Sequence, residues 1–338
     1  MTHIDIGICA YNEAGGIADM LRDCLRQTLF ADPAVTVRLV VLANGCKDDT
    51  AAVARAALAG SGIDFAVLDY AQGGKSRTLN RFVHEVSRAE ADYLLFCDAD
   101  IALPDPTTFA RLLARIAGDA RLAAVPSRPV KDLSLRTTGL SATEKMILAG
   151  GDGLGDWKHA ICGQLYIARA SVMRAFWLPI GLPVEDGFIR AMILTDNFSK
   201  DEDLTRIDGD DECYHVYESE RTLGAVLTHQ SRIVIGSAIN TLVFTRLREE
   251  PAPARADLTR IAAQDENWLG TLIRDRLPKA PDGWVPVHFL VKRAAGFRDG
   301  GKASPGRLLK LGLGLGFDAL VYAVAQLKMA RGTGAGHW

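Results

Sequence analysis

The chain opens with apolar runs and helical repeats in alternation. Ile4–Ala10 is a short apolar run that predicts a strand, and Glu13–Leu29 then carries Ile17, Leu21 and Leu25 at helical spacing. Val37–Ala43 predicts a second strand, Asp49–Leu58 a helix capped by Asp49 or Thr50, and Asp64–Leu68 a third strand. Lys75–Ser87 predicts a helix, and Tyr93–Cys97 a fourth strand that runs straight into Asp98. Such alternation implies an α/β fold, a doubly wound and mostly parallel sheet with helices on both faces. Strands that are apolar throughout, rather than at every second position, support burial on both sides. Ligands of such sheets bind beyond the carboxyl ends of the strands. The polar groups Asn12-Glu13, Asn44-Gly45 and Asp98-Ala99-Asp100 each follow a strand and are expected at that edge.

From about Pro104 to Arg232 the pattern loosens into helices, polar strands and loops, among them the glycine-rich Gly150–Asp156, followed by the strand-like Leu165–Ala168. Asp196–Glu220 is acidic and reads as a loop leading to extended structure. A calcium loop there lacks its turn glycine, because Arg206 and Cys213 stand at the two possible positions. Beyond Pro251 and Pro253 a helix is expected over Leu258–Leu277, with Asp257 as its cap. The last apolar segment, Leu308–Leu327, is interrupted by Lys310, Asp318 and Gln326. A charge near the middle of a spanning helix costs a few kcal/mol. The segment therefore predicts a helix that packs on the domain or lies on a membrane surface, with Lys328 and Arg331 towards anionic headgroups.

Composition narrows the function classes. The 338 residues carry a net charge of −2, which argues against the clustered Lys and Arg of nucleic-acid binding. The six cysteines are scattered without a Cys-x-x-Cys pair, which fits a reducing compartment. No basic n-region or cleavage site precedes the first strand, so no signal peptide is expected, and a cytoplasmic location follows.

Three clusters carry candidate chemistry. Asp98 and Asp100 are two carboxylates at the end of a buried strand, costly there unless a cation compensates them; the bland alternative is a solvated turn. Gly73-Gly74-Lys75 ahead of a helix offers backbone N–H groups and a mobile cation to a phosphate, or else is a plain turn with a surface lysine. Glu185-Asp186 at a helix start gains from the helix dipole, and one of them is placed to act as a general base.

The ordered set resembles the family 2 glycosyltransferases of the GT-A fold. The resemblance rests on Ala10-Tyr11-Asn12-Glu13, Asn44-Gly45-Cys46-Lys47-Asp48-Asp49-Thr50, Gly74-Lys75-Ser76-Arg77-Thr78-Leu79-Asn80, Asp98-Ala99-Asp100, Gly163–Arg169 and Glu185-Asp186, and it covers roughly residues 4–235. It implies an inverting transfer from a nucleotide-sugar donor to a hydroxyl of a saccharide or lipid-linked saccharide acceptor, in polysaccharide or glycolipid synthesis. Tyr11, Glu13, Asn44, Lys75 and Asp98 would bind the donor. Asp98 and Asp100, with His229 as a further contact, would hold Mn²⁺ or Mg²⁺. Asp186 would be the base, supported by Glu185. The implied organisation is a nucleotide-sugar-binding half over 1–103 and an acceptor-binding and catalytic half over 104–235; the apolar tail adds a helical extension over 236–338, for which packing on the domain and peripheral membrane contact through residues 306–331 are both open.

Two departures from the family pattern matter. Ala43 stands at the end of the second strand where the family usually has an Asp that recognises uracil, so the donor nucleotide is left open. Gln230-Ser231-Arg232-Ile233 has neither the spacing nor the Trp of the Gln-x-x-Arg-Trp motif of processive synthases, which favours single transfer. Two rival classes on the same fold are a sugar nucleotidyltransferase, whose Gly-x-Gly-x-x-Arg loop Ala14-Gly15-Gly16-Ile17 does not supply, and a non-catalytic carbohydrate-binding protein, which would not need both carboxylate clusters. A dinucleotide-dependent redox enzyme is disfavoured because no Gly-x-Gly-x-x-Gly follows a strand.

Overall fold

The computed structural model describes residues 1–136, 138–149, 155–276, 283–290 and 305–331. Part of the expected glycine-rich loop, residues 150–154, and Leu277 at the end of an expected helix lie outside them. The main sheet has six strands: β1 (Thr2–Ala10), β2 (Val35–Asn44), β3 (Asp64–Tyr70), β4 (Tyr93–Asp98), β6 (Ala124–Pro126) and β8 (Leu165–Arg169). Their order is β3-β2-β1-β4-β8-β6, parallel from β3 to β4, with β8 antiparallel to both of its neighbours. A second sheet of three strands is ordered β5-β9-β7, with β5 (Ile101–Ala102), β7 (Arg128–Lys131) and β9 (Tyr214–Tyr217).

Both faces of the main sheet are covered, as the continuous apolar strands require. Ile4, Ile6, Ile8, Val41 and Leu95 pack under α1 (Ile17–Leu25), α2 (Thr50–Leu58) and α4 (Thr108–Gly118). On the other face Val40, Leu42, Leu94 and Phe96 meet Phe82, Tyr166 and Phe188. The polar exception inside β1 is Asp5, fully buried and bound by Arg88 through Nε at 2.7 Å and the backbone N–H at 2.6 Å. A buried carboxylate persists only with such partners.

Several boundaries differ from the sequence expectation, each for a local reason. The first helix stops at Leu25 because the buried Gln27 carboxamide turns inward, donating to Asp105 O and accepting from Phe109 N–H; Thr28–Ala31 then forms a separate 3₁₀ turn. The helix α3 spans Lys75–Arg81 and passes into a π-helical turn at Phe82–Val86. At α2 neither Asp49 nor Thr50 caps through its side chain; Asp48 does the work, accepting the Thr50 N–H at 3.1 Å. The helix expected over Leu258–Leu277 is two helices, Ala252–Gln264 and Trp268–Arg276. Pro253 stands in the first turn, where its missing N–H costs nothing, and Asp257 pairs with Arg260 instead of capping.

The boundary expected at residue 235 falls inside one continuous helix, Leu223–Arg248. Ile235, Ile239 and Val243 from that helix join the same apolar core as Phe96 and Phe188, and so do Leu272, Ala325 and Met329 from beyond it. The C-terminal segment is thus an outer layer of the same core. Its last helix, Pro305–Ala330, is the one helix among the described residues long and apolar enough to cross a membrane.

Candidate active site

The carboxyl ends of β1 and β2 release two loops that are stitched together. Asn12 adopts a left-handed conformation (φ 57°) that turns its carboxamide to accept the Lys47 N–H at 2.8 Å. Glu13 N–H donates to Thr50 Oγ1 at 2.8 Å, and Ala14 N–H donates to Asp48 Oδ2 at 3.0 Å. The Thr50 hydroxyl, first among these partners, and the backbone N–H groups hold the Asp48 carboxyl below its usual range. Gly45 (φ 67°) is required where the loop after β2 presses on the one before α3, because a Cβ there would lie 2.8 Å from the Gly73 backbone. This leaves Tyr11 with 52% of its surface exposed at the rim, an aromatic face open to a planar partner.

Asp98 ends β4, and its N–H donates to Gln164 O at 2.8 Å, tying it to the loop before β8. Lys75, at the first position of α3, puts Nζ 2.9 Å from Asp98 Oδ2 and 3.3 Å from Glu185 Oε1, and donates to Gly163 O at 3.4 Å. Burial works against the charge on Lys75, yet the two carboxylates outweigh it and hold the ammonium well above its usual value. Asp186 lies against Gly163, where an added Cβ would come within 3.5 Å of the Asp186 Cβ. Lys75, Asp98, Glu185 and Asp186 therefore converge in one cleft.

The cleft is richer in carboxylates than in cations. Burial first, then Asp100, raises the Asp98 carboxyl to about 7 in spite of Lys75. Burial first, then Glu185, raises Asp186 to about 6, against the opposing pull of the Gly187 N–H and Lys75. Glu13 is also raised, by burial and by Asp100, Asp48 and Glu218. Beneath them Cys9 is a neutral thiol pushed up to about 12 by burial and Asp98.

Glu185 and Asp186 form the first turn of the helix Glu185–Leu194, where the helix dipole favours negative charge. Their entry is fixed from the long helix Leu223–Arg248. Asn240 Nδ2 donates to Val184 O at 2.8 Å, and Gly236 is so close to Val184 that a Cβ would overlap its side chain.

Of the ten residue roles expected from sequence, those at Lys75, Asp98, Glu185 and Asp186 fall together. Asp100, which is exposed, lies close enough to Glu13 to help raise the Glu13 carboxyl. Asn44 is buried, and its Oδ1 accepts the Thr78 hydroxyl at 2.7 Å, a bond that fixes the loop rather than one open to ligand. His229 faces Glu220 at 3.1 Å. Among the described residues no group of three or more His, Cys, Asp and Glu side chains is arranged to hold a metal.

Sequence reasoning missed the layer behind the cleft. His215 is fully buried on β9, with Nε2 3.0 Å from Gln164 Oε1 and Nδ1 3.1 Å from Ser127 Oγ. A carboxamide oxygen only accepts, so Nε2 carries the proton and the Ser127 hydroxyl donates to Nδ1. Burial lowers His215 to about 3, which keeps it neutral. A lone histidine in a polar strand gives no sequence signal of this role, and neither do Asn240 or Gly236 inside an unbroken helix.

The sequence profile of glycosyl transferase family 2 matches residues 5–176, from within β1 to beyond the end of β8. No curated relative matches the sequence. Among solved structures, a mannosyltransferase from Pyrobaculum calidifontis, in complex with GDP-Man and Mn²⁺, superposes with a TM-score of 0.56 at 15% identity, over 97% of this chain and 86% of that one. Glucosyl-3-phosphoglycerate synthase from Mycobacterium tuberculosis, in complex with Mg²⁺ and UDP, gives a TM-score of 0.48 at 21% identity, over 72% and 79%. At 15% identity the likeness to the mannosyltransferase is one of fold, and it extends through the C-terminal helices. With the family profile spanning half of its length and a GT-A fold beneath it, the chain belongs to glycosyl transferase family 2.

Proposed function

We propose that the chain transfers a sugar from a nucleotide-sugar to a hydroxyl acceptor with inversion, by one displacement in the Lys75–Asp98–Glu185–Asp186 cleft. The observation that carries this reading is Lys75 bound at once to Asp98 and Glu185, which joins a donor-side carboxylate to the base-side helix. Tyr11 and Glu13, on the stitched loops, would line the nucleoside pocket. Lys75 would neutralise a diphosphate that displaces it from one of its two carboxylates. Residues 1–103 would then serve the donor and residues 104–235 the acceptor.

Asp98 and Asp100 suit a divalent cation. Their oxygens are the hard donors that Mg²⁺ and Mn²⁺ take, and the raised Asp98 carboxyl lacks a cation of its own beyond the shared Lys75. Two carboxylates are enough when diphosphate oxygens complete the shell, the usual arrangement for Mg²⁺. A bound cation would stabilise charge on the departing diphosphate. His229, paired with Glu220, is left out of this site.

Asp186 would take the proton from the acceptor hydroxyl as its oxygen bonds to the anomeric carbon and the bond to the diphosphate breaks. Burial and the neighbouring Glu185, which raise this carboxyl to about 6, leave it ionised at neutral pH yet basic enough to accept a proton. Glu185 would orient Lys75 through its ion pair with it. Single transfer to a saccharide or lipid-linked saccharide agrees with the absence of the processive motif.

The test is calorimetry and product release with a panel of nucleotide-sugars and Mn²⁺. Asp100→Asn should lose metal-dependent donor binding, whereas Asp186→Asn should keep it and lose transfer. Undiminished turnover in Asp186→Asn would remove the assigned base.

A further inference from the structure

The last helix, Pro305–Ala330, is apolar on two opposite faces. On one, Val321, Ala325 and Met329 recur every fourth residue and are buried in the common core. This face is fastened by polar anchors: Tyr322 Oη donates to Val285 O at 2.9 Å, and Gln326 Nε2 donates to the same oxygen at 2.9 Å. The Gln326 Oε1 in turn accepts the Trp284 N–H at 3.0 Å. On the other face Leu313, Leu320 and Leu327 stand one heptad apart and are 69%, 50% and 50% exposed. Every other exposed position from 312 to 330 is Gly or Ala. A helix on the surface of a water-soluble domain carries charged and polar residues on its outward face. This outward face carries none.

We infer that the Leu313–Leu320–Leu327 face is a docking surface for an anionic lipid bilayer, on which the helix lies in the plane of the interface. Charge decides between the candidate occupants. Residues 291–338 contain eight Lys and Arg against two Asp, although the whole chain has a net charge of −2. Two copies meeting through this face would oppose two segments of the same net positive charge. An anionic headgroup layer attracts them, at about 1 kcal/mol for each Lys or Arg near the surface. Length alone would also permit a span, but the inner face is bound along the soluble core through Tyr322, Gln326 and Met329. A crossing helix would have to leave that core and bare Gln326 and Tyr322 to hydrocarbon. Lying flat keeps both contacts, with leucines in the acyl boundary and basic residues at headgroup level. The inference goes beyond the transfer reaction and does not depend on the roles given to Asp98 or Asp186.

The experiment is co-sedimentation of the full chain with phosphatidylcholine vesicles and with vesicles in which about a third of the lipid is anionic. The unaltered chain should bind the anionic vesicles, and binding should weaken as salt is raised. Leu313→Gln/Leu320→Gln/Leu327→Gln should bind at least about tenfold more weakly. Its melting temperature should be unchanged, because the three side chains are exposed. Leu313→Gln alone, at the most exposed position, should show the same direction. Absence of binding by the unaltered chain, or equal binding by the triple variant, overturns the inference. So does a dimer in sedimentation equilibrium that the triple variant abolishes without any vesicle binding, which would assign the face to a second copy. Donor binding measured on the same samples separates the two readings: the triple variant should retain it, and its loss in the unaltered chain would count against the transferase site alone.

Discussion

Lys75 Nζ and Glu185 Oε1 meet at 3.3 Å, joining the start of α3 to the start of the helix Glu185–Leu194. The same ammonium reaches Asp98 Oδ2 at 2.9 Å, so the lysine stands between the proposed donor side and the proposed base side of the cleft. Replacing it with Met would leave Asp98 and Glu185 facing each other without compensation, and Asp98 would hold its proton more tightly still. We expect Lys75→Met to lower kcat/KM on the order of 100-fold or more, the scale of losing one preorganised charge at a reacting diphosphate. Arg is a poor substitute in a pocket shaped for a compact ammonium, so Lys75→Arg should recover less than about tenfold of that loss. Release of nucleoside diphosphate from the donor panel measures both. Activity of Lys75→Met within a few-fold of the unaltered chain would contradict this role.

Asp186 sets a pH dependence of definite sign. In the proposed reaction transfer needs its carboxylate, and burial with Glu185 has raised the group to about 6. Rate should therefore climb as pH rises through about 6 and level off above, and Asp186→Asn should lack that limb. Stability moves the opposite way. The folded protein binds this proton more tightly than the unfolded chain, where an Asp titrates at about 3.9. The stabilisation is complete below the unfolded value and is lost as pH rises through about 6. Asp186→Asn should accordingly melt higher than the unaltered chain well above that pH, and the two should converge in acid. Thermal melts across the range check the second statement independently of any substrate.

The sheet and most of the cleft were legible in the sequence because they depend on local patterning. Apolar runs such as Val37–Ala43 register burial on both faces, and the loops after them carry the polar residues that such sheets place at one edge. Ala10-Tyr11-Asn12-Glu13 and Asp98-Ala99-Asp100 could be assigned to that edge before any coordinates. What could not be read depends on contacts between distant segments. Gln27 ends a helix through bonds to Asp105 and Phe109, and the periodicity around it gives no sign of this. Lys75 reads in the sequence as a candidate phosphate partner, but its bond to Glu185 joins two helix starts far apart along the chain. The boundary at 235 follows from how far the family resemblance reaches, whereas Ile235 and Ile239 continue one buried stripe of a single helix.

His215 illustrates the same limit and yields a test. It never touches the cleft, but it holds Gln164, whose carbonyl oxygen receives the Asp98 N–H, so it acts as a positioning residue. His215→Gln can still present a donor to Gln164, whereas His215→Leu cannot. We expect His215→Leu to lower kcat about tenfold with donor KM changed less, and His215→Gln to restore most of it; a single lost hydrogen bond near a site is worth about 1–2 kcal/mol. Equal defects in the two variants would reduce His215 to packing. Protonation bears on stability as well. The unfolded histidine takes its proton near 6.5 and the buried one only at about 3, so protons favour unfolding across that window. Both variants should flatten the loss of stability as pH falls from about 6.5 towards 3.

Gly236 tests whether the base is positioned by packing from the long helix. Its Cα faces Val184 so closely that any side chain must displace that residue, and Val184 directly precedes Glu185 and Asp186. In an ordinary helix Gly→Ala stabilises by about 1 kcal/mol through propensity. Here overpacking acts against that gain, typically by about 1–3 kcal/mol, and the strain falls on the turn that carries the base. Gly236→Ala should therefore melt lower than the unaltered chain rather than higher. It should also lose transfer while donor affinity holds. Adding Val184→Ala removes the side chain that the new methyl would meet, so the double variant should recover both melting temperature and rate. Melting curves, calorimetry and rates on the three proteins decide it: a Gly236→Ala protein that is more stable and fully active would show that the helix start is not held by this contact.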